Sequence, residues 1–232
     1  MNNFDWSQFT WGQLVNPEFY IKLGGLYLVL FIIFAETGLF AGFFLPGDSL
    51  LFLSGIYSKE LIQEFVSIDS DFLNVFLLSS LVATAGIIGN EIGYWFGKKS
   101  GPYLFQKKDT FLFKKKYLFQ AKEFYDKHGG MAIILARFLP ILRTFAPIIA
   151  GIVQMSKGKY FLYNVIGSVA WSFSLIFAGH YLNHFFLKEF NFDLKQHIEM
   201  IVLIMVLVTT APVLYKIFFK KETKKGEMNL ND

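Results

Sequence analysis

Five long apolar stretches, set apart by short polar or lysine-rich intervals, organise this chain: 20–57, 72–97, 130–155, 160–186 and 198–219. Each is long enough to enter or cross a hydrocarbon core of ~30 Å, which about 20 residues of helix span. Two of them, 160–186 and 198–219, read as ordinary spans. The stretch 130–155 does not, because Pro140 and Pro147 interrupt it. Proline removes a backbone donor and re-aims a helix, so this stretch is expected to break within the membrane. The pattern predicts an all-α integral membrane protein of one domain.

Composition agrees: 54% of residues are apolar, 19% are aromatic, and mean hydropathy is +0.43. The absence of cysteine excludes disulfides, thiol catalysis and cysteine-ligated metal. Asp5 stands where a signal peptide would carry its basic region, so a cleavable leader is not expected.

Charge sets the expected topology. Between Lys98 and Lys127 nine lysines face three acidic residues, and the tail from Lys216 carries five more lysines. The positive-inside rule puts both regions on the cytoplasmic side. The interval 59–71 has one lysine against Glu60, Glu64, Asp69 and Asp71 and can face outward. If Lys127 and Lys216 share a side, the chain between them crosses an even number of times. Three apolar stretches lie there, so 130–155 is expected to dip in and return as a re-entrant hairpin. Such breaks are tolerated where protein or water satisfies the freed backbone.

An earlier segment echoes this one. Phe44-Leu45-Pro46-Gly47-Asp48-Ser49 through Ser54-Gly55 matches Phe138-Leu139-Pro140 through Ala150-Gly151. Asn90-x-x-Gly93 and Asn164-x-x-Gly167 follow in turn. The expected units are a first hairpin plus span at about 30–97, a basic cytoplasmic segment 98–127, and a second hairpin plus span at 130–186. A C-terminal span 198–219 and a basic tail 220–232 complete the chain. The two hairpins would enter from opposite faces, an inverted repeat of the kind that places a transport site near the midplane. Pro46, Gly47, Pro140 and Pro147 mark the hairpin breaks.

Candidate chemistry follows from charges inside apolar sequence. Both arginines of the chain, Arg137 and Arg143, lie in the broken stretch. A guanidinium at membrane depth costs roughly 2.5–3.5 kcal/mol on insertion scales, which makes it a functional-site candidate. Its planar fork fits phosphate or carboxylate bidentately. Glu36, Asp48 and Glu91 are the acidic counterparts. Two readings stand side by side: ion pairs that brace two hairpins, or arginines that bind an anionic headgroup while a carboxylate exchanges protons. His180 and His184 have i, i+4 spacing, but no third metal ligand is in view. The basic segment interleaves phenylalanines with lysines, as membrane-surface helices do. Trp6 and Trp11 suit an interface. No nucleotide-binding loop or hydrolase pattern is found, so the chain reads as a transporter rather than an enzyme.

Glu36-Thr-Gly, Phe44-Leu-Pro-Gly-Asp48-Ser, Gly89-Asn-Glu-Ile-Gly-Tyr-Trp-Phe-Gly97 and Arg137-Phe-Leu-Pro140-Ile-Leu-Arg143-Thr-Phe-Ala-Pro147 resemble motifs of the DedA family, which carries the SNARE-associated Golgi protein or VTT domain. The resemblance covers about residues 30 to 185. It implies two opposed re-entrant hairpins and lipid movement across the bacterial inner membrane. The implied substrate of some members is undecaprenyl phosphate, and of others phosphatidylethanolamine. By this resemblance Arg137 and Arg143 bind substrate phosphate, while Glu36 and Asp48 form the proton- or ion-coupling pair. After the glycine of this motif the family often has aspartate, where this chain has Asn90 followed by Glu91, leaving Glu91 as a candidate third coupling group. The implied partners are membrane lipids, polyprenyl phosphate or phospholipid, and protons or cations. Self-association is left open; no nucleic acid and no cofactor are implied. A proton-coupled small-cation antiporter and a broad phospholipid scramblase are the competing readings.

Overall fold

Among the described residues two long helices form the axis, and five shorter ones pack on them. The computed structural model describes residues 17–39, 47–106, 122–123, 125–197 and 200, and no strand occurs among them. The elements are α1 (Pro17–Gly38), α2 (Gly47–Ile56), α3 (Ser58–Gln63), α4 (Asp71–Gln106), α5 (Met131–Arg137), α6 (Pro140–Ile152) and α7 (Lys157–Phe190). A 3₁₀ turn at Leu194–His197 follows them. By length and composition α1, α4 and α7 can cross a membrane. Trp6, Trp11, Pro46, the basic residues 107–121, the apolar stretch 198–219 apart from residue 200, and the tail 220–232 lie outside the described residues.

α4 and α7 run antiparallel. Ser172 Oγ donates to the Ser79 carbonyl at 3.1 Å, while Phe72 meets Phe177 and Phe76 meets Phe173 edge-on. At 36 and 34 residues they extend roughly 50 Å, well beyond a ~30 Å core. One end of the pair is acidic, with Asp71 and the neighbouring Glu60 and Glu64. The other carries Lys98, Lys99, Lys157 and Lys159. α4 passes the expected boundary at residue 97 and continues to Gln106, with Pro102 inside it.

The apolar stretch 20–57 is two antiparallel helices rather than one. At the acidic end the Tyr57 hydroxyl donates to Glu18 at 2.9 Å. Burial and that carboxylate push the Tyr57 phenol up. At the opposite end Gly47 lies against the Glu36 carboxylate. The stretch 130–155 divides in the same way. Leu139 is extended, as a residue before proline prefers, and Pro140 opens α6 at its first position, where its missing N–H is no loss. Pro140 therefore starts a helix, whereas Pro147 is carried inside one.

The second arm of each pair, α2 or α6, packs on the long helix from the other half of the chain. A Cβ on Gly55 of α2 would fall on the Ile176 carbonyl of α7, and one on Gly97 of α4 would fall on the Ile148 carbonyl of α6. Backbones can approach this closely only where side chains are absent. Ile33, Leu50, Leu51, Leu53, Val75, Leu78, Val82 and Ile176 fill the core between α1, α2, α4 and α7. Tyr94, stacked on Tyr160 at 4.2 Å, anchors a second cluster toward the lysine end.

α1 contains a break that its apolar run conceals. Gly25 has φ +53°, and the Leu26 N–H donates to Glu64 at 2.9 Å. The carboxylate caps the inner half of α1, satisfying a donor that the kink frees. An added Cβ at Gly25 would strike that carboxylate in a left-handed backbone. Gly25→Ala is therefore expected to destabilise the fold by about 1–3 kcal/mol. Thermal unfolding in detergent would show this as a lowered Tm, and an unchanged Tm would refute the constraint.

Candidate functional site

Four helix ends meet in the interior: the C-termini of α1 and α5 and the N-termini of α2 and α6. Each contributes one charge. Asp48 stands in the first turn of α2 and Arg137 in the last turn of α5, each where the helix dipole favours its sign. Glu36 near the end of α1 and Arg143 in the first turn of α6 are the reverse. These two disfavoured charges pair with each other.

Arg143 is 4% exposed, and its two terminal nitrogens are divided between two carboxylates. Nη2 donates to Glu36 Oε1 and Nη1 to Asp48 Oδ1. Asp48 Oδ1 also accepts the Trp171 indole N–H at 2.9 Å. Gly47 has no side chain because the Glu36 carboxylate occupies that space. One cation thus joins the α1–α2 arm pair to α6.

Arg137 has a different environment. It is 2% exposed, Nη2 donates to Asn164 Oδ1 at 3.0 Å, and the guanidinium lies 5.6 Å from the Trp171 ring centroid. Among the described residues Nε and Nη1 find no hydrogen-bond partner, and no ion pair includes the group. Arg143 lies over the same indole at 4.8 Å, so both cations share one aromatic floor. Buried donors ordinarily find partners, and two unpaired donors on one cation mark a place suited to an anion.

Asn164 joins the remaining groups. Its Nδ2 donates to the Ile87 carbonyl at 3.2 Å and reaches Glu91 Oε1 at 3.4 Å. Ser168 Oγ bonds its carbonyl, and the Asn90 amide meets its Oδ1. Tyr160 donates to the Asn90 carbonyl at 2.9 Å. Glu91 therefore lies one residue away from Arg137, apart from the Glu36–Asp48–Arg143 group.

The structure brings Glu36, Asp48, Arg137 and Arg143 to one place and sets Glu91 at its margin. His180 Nδ1 lies 3.1 Å from Ser58 Oγ, and no cluster of metal-ligand type occurs among the described residues. Trp171 stands in no motif of the sequence. An indole at mid-span needs a partner for its N–H, and that requirement was the available signal. Asn164 stood out only as a repeat marker, though a buried amide within an apolar span is itself unusual. A cavity of about 640 Å³ lies elsewhere, lined by Lys122, Asp126, Gln154 and Lys159 among others, and touches none of the four charges.

Half-length helices ending on a buried charge cluster, beside helices long enough to span a bilayer, define a helical integral membrane protein with a polar interior. The VTT domain family matches residues 45–181. Protein DedA of Escherichia coli (strain K12) is 40% identical over 157 residues, 67% of this chain and 68% of its own. An uncharacterized membrane protein of Mycobacterium leprae is 34% identical over 222 residues, 94% of this chain and 92% of its own. Inner membrane protein YqjA of Escherichia coli (strain K12) is 29% identical over 180 residues, covering 75% of this chain and 76% of its own. The chain belongs to the DedA family of VTT-domain membrane proteins. No solved structure matches it.

Proposed function

We propose that this protein moves a phosphate-bearing lipid, undecaprenyl phosphate or a related anionic or zwitterionic lipid, between the leaflets of a bacterial inner membrane. In this reading α1–α2 and α5–α6 are two opposed re-entrant hairpins of an inverted repeat. The lysine end of α4 and α7 and the C-terminus face the cytoplasm, following the positive-inside rule. The head crosses at the meeting of the hairpins while the tail stays in lipid.

The observation that carries the reading is Arg137: a buried guanidinium with two unsatisfied donors and no carboxylate partner among the described residues. A lipid phosphate supplies the oxygens that these donors lack. Arg143 joins in a second step. Protonation of Glu36 or Asp48 weakens its hold on Arg143 and turns a guanidinium nitrogen toward the same phosphate. Proton uptake and headgroup binding are thereby coupled. A small-cation antiporter needs Glu36 and Asp48 open to the ion, and Arg143 occupies both.

Reconstituted vesicles test the reading. Fluorescent polyprenyl phosphate and phosphatidylethanolamine are offered separately, with and without an imposed pH gradient. Faster, gradient-dependent movement of the polyprenyl phosphate is the expected result. Equal, gradient-independent movement of both lipids would make the protein a scramblase. Cation exchange without lipid movement would overturn the proposal.

A further inference from the structure

A groove of about 470 Å³ runs between the lysine-end halves of α4 and α7. Ile87, Ile88, Glu91, Ile92, Trp95 and Lys98 line it from α4, on one helical face, and Lys157 and Phe161 close it from α7. From Ile87 to Lys98 it extends roughly 16 Å at the rise of an α-helix, about half of a ~30 Å hydrocarbon core and so the depth of one leaflet. Its walls are apolar and open: Ile88, Trp95 and Phe161 are 51%, 61% and 48% exposed. Its outer end carries two exposed lysines. Deep within it lies one carboxylate, Glu91, which Asn164 links to Arg137 through contacts of 3.4 and 3.0 Å.

Resting on the lipid-transport reading above, we infer that this groove is a lateral portal that seats a single anionic lipid, its phosphate between Lys98 and Lys157 and one chain along Ile88, Ile92, Trp95 and Phe161. Shape and charge both set this cleft apart. A general lipid-facing surface needs no cleft, and a headgroup site needs cations at the depth where phosphates lie. Here the cleft has the length of one leaflet, with both cations at one end. The position adds meaning, since a single asparagine separates the portal from the buried guanidinium with unsatisfied donors. Glu91 then serves as the inner door. Its charge holds Asn164 toward the groove and repels a phosphate until the head leaves the lysines.

Photo-crosslinking tests occupancy without relying on transport. A benzophenone amino acid replaces Ile92 or Phe161, with Phe76 near the acidic end as control. The full chain is placed in phosphatidylcholine vesicles with or without phosphatidylglycerol. The portal predicts adducts at both groove positions that favour phosphatidylglycerol on the order of tenfold, the scale of two interfacial lysines, and no preference at the control. Lys98→Ala with Lys157→Ala should abolish the preference while leaving the phosphatidylcholine adduct. Equal labelling of both lipids at all three positions would overturn the portal and leave an ordinary lipid-facing surface. An adduct within the protein, to its own residues 198–219, would overturn it as well, since the chain itself would fill the groove. Lipid-selective adducts in a protein that moves no lipid would retire the transport reading alone. Transport without selective adducts would retire the portal alone.

Discussion

Arg143→Met is expected to remove the folded protein from the membrane. The substitution leaves Glu36 and Asp48 facing each other in the interior without their cation. Breaking a buried pair from one side costs about 3–5 kcal/mol, a large part of the stability of a domain. The loss would be read as reduced membrane abundance and early aggregation in detergent. Adding Glu36→Gln and Asp48→Asn to the same chain should restore most of the abundance, because the uncompensated charges are then gone. Transport should stay absent in the triple variant, since neither member of the Glu36–Asp48 pair remains to exchange a proton. If Arg143→Met alone left stability unchanged, Arg143 would not be the brace between the α1–α2 arms and α6.

Arg137→Met should act with the opposite sign. Its guanidinium has no carboxylate partner among the described residues and two unsatisfied donors, so replacing it removes a desolvation cost and strands no charge. The Asn164 oxygen that it engages keeps contacts to Asn90 and Ser168. Tm is expected to hold or rise, while lipid movement falls on the order of 100-fold, the effect of two lost charge-assisted hydrogen bonds. A group kept at the expense of stability is characteristic of functional sites. A clear fall in Tm would instead assign Arg137 a structural role.

The two arginines are indistinguishable in the sequence: both lie in one broken apolar segment, six residues apart. Burial and the need of each charge for a partner were legible there. The division of labour was not, because it depends on which guanidinium the ends of α1 and α2 reach, a contact about a hundred residues away in the chain. Pro140 was legible as a break, since a residue before proline avoids the helical region and proline itself suits a helix start. Pro147 has the same composition signal but is carried within α6. The kink at Gly25 was hidden because apolar residues continue on both sides of it, and its cap, Glu64, comes from the C-terminal end of α3. Trp171 was one aromatic among many until its N–H was found on Asp48.

The pairing of α2 with α7 and of α6 with α4 lies at a similar level. Gly55 and Gly97 are ordinary residues of apolar segments in the sequence. Only in the folded chain is each a point where two backbones touch across the halves. Movement of one helix pair would therefore be felt on the long helix of the other half, as the proposed lipid transport requires.

The most direct test of the central claim compares wild type, Arg137→Lys and Arg143→Lys for movement of fluorescent polyprenyl phosphate in vesicles, at matched amounts of folded protein. Lysine keeps the charge but loses the planar fork. The account predicts that Arg137→Lys is well folded and nearly inactive, and that Arg143→Lys is less stable yet retains part of its activity per folded molecule. Full activity of Arg137→Lys would contradict the claim that this guanidinium receives the lipid phosphate.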